Sequence, residues 1–143
     1  MRELSSEKLH ATCVAIGGRG VLIEGRSGSG KSDLALRLID RGAVLVSDDQ
    51  VIVRRDGARA LANPPETIAG KLEVRGLGIV TMPIEREVPL GLIVCLVEHD
   101  IDRMPEGSSR KVAGIELPLV SIRPFEVSAA AKVAMALNHL AAA

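Results

Sequence analysis

Aromatic residues are almost missing from this chain: 143 residues carry one, Phe125, and neither Trp nor Tyr. A stacking platform for bases or for single-stranded nucleic acid needs ring faces, so the composition argues against either. The core must be built from Leu, Ile, Val and Ala. Cysteine is scarce as well. Cys13 and Cys95 lie in apolar, strand-like segments and read as small core residues rather than a redox pair or a nucleophile. There is no surplus of either charge: Lys plus Arg is 18, Asp plus Glu is 18, and the formal net charge is zero. The basic excess of a nucleic-acid-binding protein is therefore lacking. The longest apolar run, Leu92 to Val97, is too short to cross a bilayer. Met1 to Lys8 lacks the apolar stretch of a secretory signal. The expectations are no nucleic-acid partner, no membrane, and a cytoplasmic location. With no linker and no internal repeat, the length predicts a single domain over residues 1–143.

What is present is concentrated in one octapeptide. Gly25-Arg26-Ser27-Gly28-Ser29-Gly30-Lys31-Ser32 fits the phosphate-loop pattern G-x-x-x-x-G-K-[ST] at every fixed position. Gly20 to Glu24 before it reads as a short buried strand, and Asp33 to Arg41 after it as an amphipathic helix. The glycines let the backbone curl so that several N–H groups face one phosphate chain, and the helix N-terminus adds partial positive charge there. In such a loop Lys31 reaches the terminal phosphates, and the Ser32 hydroxyl sits on Mg²⁺. The motif predicts nucleoside triphosphate binding but does not say what is done with the phosphate.

The remaining pattern is rich in strands. His10 to Ile16 reads as a strand, followed by a turn at Gly17-Gly18-Arg19-Gly20. In the helix, Leu34, Ala35, Leu38 and Ile39 share one face, Asp33 and Arg37 pair on the other, and Gly42 ends it. Ala43 to Val46 predicts a strand ending in Ser47-Asp48-Asp49. Val51 to Arg54 and Arg59 to Ala62 predict a hairpin, and Glu66 to Ala69 a helical turn. Lys71 to Val74 and Ile79 to Met82 flank the loop Arg75-Gly76-Leu77-Gly78. Leu90 to Val97 is apolar throughout and reads as a central strand. His99 to Arg110 reads as an exposed loop, and Lys111 to Ile122 as a strand region broken by Pro118. Ser128 caps a last helix with Val133, Leu137 and Leu140 as its apolar stripe. The fold class is α/β, a single phosphate-loop domain with a mixed sheet.

Chemistry beyond binding needs a metal holder and a base. Asp48-Asp49 stands at the carboxyl end of the strand after the phosphate-loop helix, the end that faces the ligand crevice in an open α/β sheet. If the strand has ended there, both carboxylates can serve one site. One can take the proton of an attacking hydroxyl, and the other can touch Mg²⁺ directly or through water.

The run from Gly20 through the phosphate loop to Gly42, continued by Leu45-Val46-Ser47-Asp48-Asp49, resembles HPr kinase/phosphorylase. A second segment, Leu72-Glu73-Val74-Arg75-Gly76-Leu77-Gly78-Ile79, is similar to that family's signature, which ordinary phosphate-loop enzymes lack. The resemblance implies a fold of the HPr kinase and phosphoenolpyruvate carboxykinase type, without the family's usual preceding domain. It implies ATP and Mg²⁺ as cofactors and a seryl residue of an HPr-like phosphocarrier as acceptor. A reverse phosphorolysis and a homo-oligomer, a hexamer in the family, follow on the same ground. The alternative reading is a nucleotide-sensing module that binds without transfer.

Residue by residue, the resemblance makes Asp48 the acid/base group. It places His10, fifteen positions before the loop, and Arg103 beside the transferred phosphate. Glu73 helps to hold Mg²⁺ together with Ser32, with Asp49 as a further metal candidate. Arg75 to Gly78 line the site. The chain departs from the family after Pro124, where Glu126-Val127-Ser128-Ala129-Ala130 stand in place of basic residues.

Overall fold

The computed structural model describes residues 5–140, so the outermost residues of the expected 1–143 domain, and part of the Met1 to Lys8 segment, lie outside the described residues. Eleven strands and two α-helices follow one another along the described chain. They are β1 (Ser6–Leu9), β2 (Thr12–Ile16), β3 (Arg19–Glu24), α1 (Lys31–Asp40), β4 (Val44–Ser47), β5 (Val51–Asp56) and β6 (Arg59–Asn63). A 3₁₀ turn (Glu66–Ile68) leads to β7 (Lys71–Val74), β8 (Gly78–Thr81), β9 (Val88–Leu96), β10 (Ser108–Val112), β11 (Ile115–Ile122) and α2 (Ala129–Leu140).

The main sheet runs β1-β5-β6-β9-β3-β2-β4. Strand β9 is its axis. On one edge it lies parallel to β3. Its other edge is shared: β6 pairs antiparallel at Val88 and Pro89, and β11 pairs parallel from Ile93 to Leu96. Strands β3, β9 and β11 therefore point their carboxyl ends the same way. The crossover β3–α1–β4 brings the end of β4 to that edge too, because β2 is antiparallel to both β3 and β4. Strands β7 and β8 form a separate hairpin.

Both faces of the sheet are buried, and the alternation of side chains along each strand sorts them. Cys13, Ala15, Leu22 and Ile93 enter a core closed by β5, β6 and the β10–β11 hairpin. Val14, Val21, Ile23, Leu92 and Val94 enter a second core covered by α1 and α2. Leu34, Ala35 and Leu38 of α1 and Val133 and Leu137 of α2 supply the helix side of that core.

Several local expectations change. The first strand begins at Thr12 rather than His10, and Ser6–Leu9 forms an additional edge strand on β5. Helix α1 starts at Lys31, so the lysine and serine of the phosphate loop belong to its first turn. The segment read as one broken strand is a hairpin whose second strand, β11, continues to Ile122. Ala113 and Gly114 turn it, both with positive φ (49° and 80°). Pro118 falls just before the parallel pairing with β9 begins at Leu119, so its missing N–H is not needed on that side. Leu140 is exposed, and the buried face of α2 consists of Ala129, Ala130, Val133 and Leu137.

Candidate active site

The phosphate loop spans the carboxyl end of β3 and the first turn of α1. Gly28 and Gly30 have φ of 78° and 103°, values that side-chain-bearing residues rarely adopt. Gly30 is the N-cap of α1 and has no side chain to offer the first-turn N–H groups. Those groups are the donors that an anion takes. Lys31 is buried, and its Nζ donates to the carbonyls of Gly25 (2.9 Å) and Arg26 (3.1 Å). The loop is thus closed on its own lysine. Ser29 Oγ is buried without a hydrogen-bond partner among the described residues.

The acidic turn meets the loop directly. Asp48 is buried, and its Oδ1 accepts from Ser32 Oγ at 2.8 Å and Thr12 Oγ1 at 2.9 Å. Its Oδ2 accepts from the backbone N–H of Glu73 at 3.1 Å. Three donors from three segments hold one carboxylate. Strand β4 has ended at Ser47, and Asp49 takes φ 68°, so the two aspartates leave the strand alternation behind. Asp49 turns outward, where its Oδ1 lies 3.4 Å from His10 Nε2, with both side chains more than half exposed. The turn is fixed by Gln50 N–H to Asp48 O (2.8 Å), Ala11 N–H to Asp49 O (3.1 Å) and Ser47 Oγ to Gln50 O (2.5 Å).

The Ser32 proton is committed to Asp48, which leaves the hydroxyl lone pairs open to a hard cation. The carboxylate at Ser32 is that of Asp48, while Asp49 belongs to His10. Glu73 stands next to Asp48 through its backbone, and its side chain is exposed. No group of three or more His, Cys, Asp or Glu side chains that would close around an ion occurs among the described residues. A cation there would need the oxygens of a bound phosphate chain, the usual arrangement for Mg²⁺.

Arg75 to Gly78 form the exposed tip of the β7–β8 hairpin, with φ of 89° at Gly76 and 93° at Gly78. Arg103 is exposed in the long segment between β9 and β10 and makes no ion pair or hydrogen bond among the described residues. The structure therefore brings together Lys31, Ser32, Asp48, Asp49, His10 and the Glu73 backbone, and Arg103 bonds to none of them. Thr12 was missed. Only its place opposite Ile23, at the mouth of the loop, could have flagged it.

A strand, a glycine-rich loop and a helix, with an acidic turn bonded to the loop serine, define the phosphate-loop class of α/β proteins. Within that class, the family model described as HPr Serine kinase C-terminal domain matches residues 2–141, and the chain belongs to this family. It is 37% identical to an HPr kinase/phosphorylase of Chlorobium chlorochromatii over 81% of this chain and 39% of that protein. It is 36% identical to one from Chloroherpeton thalassium over 92% of this chain and 43% of that protein. The chain thus spans about two-fifths of the length of these curated relatives. A solved structure, the Hpr(Ser) kinase/phosphatase from Coxiella burnetii, superposes with a TM-score of 0.77 at 26% identity, covering 90% of this chain and 96% of that one.

Proposed function

We propose that this chain is the catalytic unit of a protein-serine kinase that moves a phosphoryl group from ATP to a seryl hydroxyl of an HPr-like phosphocarrier. The observation that carries the reading is the 2.8 Å bond from Ser32 to Asp48, which joins the phosphate cradle to the acid/base group. Bound ATP with Mg²⁺ supplies the phosphoryl group and neutralises its charge. Lys31 would exchange its two carbonyl contacts for the terminal phosphates, and Ser32 and Glu73 would hold Mg²⁺, with Asp49 as a further candidate.

Asp48 Oδ2 carries a single donor, the Glu73 amide, and so keeps a lone pair for the seryl proton. His10 and Asp49 stand on the open side of the turn, where the acceptor approaches. Arg103 and the Arg75–Gly78 tip complete the charge and the walls once the carrier is docked. Run backwards, the same residues return the proton as inorganic phosphate removes the phosphoryl group. A cytoplasmic homo-oligomer, hexameric as the resemblance implies, is the assembly we infer.

The test is incubation of the protein with ATP, Mg²⁺ and the carrier, followed by mass spectrometry for phosphoserine. ATP binding without phosphoserine would leave the sensing module as the reading. Asp48→Asn is expected to abolish transfer while ATP affinity stays within about three-fold, roughly 0.6 kcal/mol. Transfer retained in that variant refutes the base assignment.

A further inference from the structure

Two adjoining clefts of about 380 and 270 Å³ open on the side of the phosphate loop away from Asp48. They share Val97, Glu98 and Pro124; Arg26, Ser29 and Leu96 line the larger, and Phe125 the smaller. We propose that these clefts form a nucleoside subsite, with the Phe125 ring stacked on the nucleobase; the inference rests on the ATP reading above and deepens it.

Topology gives the direction. Ser32, Thr12 and Asp48 sit on the β2/β4 side of the loop, which is where the terminal phosphate, the metal and the acceptor must meet. The nucleoside therefore leaves on the opposite side, over the carboxyl ends of β9 and β11. The loops that follow those two strands build the clefts. They are tied to each other by the Arg123–Asp100 ion pair at 3.0 Å and to α1 by Arg37, whose guanidinium donates to the Pro124 carbonyl.

Phe125 is the placed aromatic. Phe125 is 74% exposed, so its ring is open to a ligand. A Cβ built on Gly30 would lie 3.0 Å from Phe125 Cζ, so the ring already rests against the loop that holds the phosphates. Ser29, whose buried Oγ has no hydrogen-bond partner among the described residues, contributes to the wall of the larger cleft. The scarcity of aromatics argued against any stacking platform; one ring is indeed too few for a strand of nucleic acid, but placed beside the phosphate loop it suffices for one base.

Calorimetric titration of the whole chain with Mg·ATP and with Mg·tripolyphosphate separates base from phosphate. Phe125→Ala is expected to weaken ATP about tenfold, the usual scale for losing one stacked base, and to leave tripolyphosphate within about twofold. Phe125→Trp, which keeps a stacking face, is expected to retain ATP affinity. The subsite is refuted if Phe125→Ala binds ATP as the unaltered chain does, or if it weakens both ligands equally, which would mean a disturbed loop. It is also refuted if only the KM for the carrier rises, which would place the ring at the docking face. Failure of the unaltered chain to bind either ligand would overturn the ATP reading itself and the subsite with it.

Discussion

Thr12→Val tests whether the Asp48 carboxylate is held by design. Thr12 is fully buried, donates to Asp48 Oδ1 at 2.9 Å, and accepts from the Asp49 N–H at 3.3 Å. Valine fills the same space with a methyl group, so no cavity opens. What disappears is a hydrogen bond to a carboxylate, about 1.5–3 kcal/mol, and with it the longer, weaker bond from the Asp49 N–H. The extra buried methyl returns about 0.8 kcal/mol. The net loss is about 1–2 kcal/mol, which for a chain of this length lowers Tm by roughly 3–6 °C. Thermal unfolding by circular dichroism measures it. Thr12→Ser keeps the hydroxyl and separates the bond from the packing. Transfer activity should follow the bond: Thr12→Val loses about tenfold in kcat, the scale of roughly 1.4 kcal/mol in a barrier. Thr12→Ser should stay near the unaltered value. A Thr12→Val protein that melts within 1 °C of the unaltered chain, roughly 0.3 kcal/mol by the same scale, refutes the reasoning. So does one that transfers phosphate at the same rate.

Gly30→Ala forces a side chain onto a φ of 103° and drives its Cβ to 3.0 Å from Phe125. Backbone strain of about 1–3 kcal/mol should reshape the loop and cost at least tenfold in ATP affinity by calorimetry; unaltered affinity would contradict the assigned loop geometry. Burial pushes the Cys13 thiol up to about 12. Between the ordinary thiol range and that value the unfolded chain has released its proton and the folded chain has not. Folding then binds the proton, and stability falls as pH rises, by up to about 1.4 kcal/mol per pH unit. The contribution is complete below about pH 8.5, where both states keep the proton. Urea midpoints at pH 8 and pH 10.5 should therefore separate more for the unaltered chain than for Cys13→Ala; equal separations would refute it.

The phosphate-loop half of the molecule was legible because its determinants are local. The phosphate loop, α1, the Asp48-Asp49 turn and the β7–β8 hairpin each carry their signal in fewer than about a dozen consecutive residues, the range over which periodicity and turn chemistry act. Placement across the sheet was not legible. Ser6–Leu9 is half exposed and mixed in polarity, and becomes a strand only because β5 offers an edge. The Ala113-Gly114 turn hid inside an apolar stretch, since alanine seldom adopts positive φ. Thr12 looked like any β-branched strand residue, and its role depends on Asp48, 36 positions away. Arg103 followed the family pattern in sequence, yet its segment has no packing of its own to bring it inward.

The Asp48 carboxylate has a further consequence for how the protein comes apart. Its three bonds close chain separations of 36, 16 and 25 residues onto one point. Strand β2, helix α1 and the β7–β8 hairpin, which pack on different parts of the molecule, are thus fastened by a single ionised group. Opening any one of them leaves a buried carboxylate short of a donor, a cost the other two then share. These three elements are bound to fray together or not at all. The site behaves as one cooperative unit within a sheet whose outer strands can loosen separately.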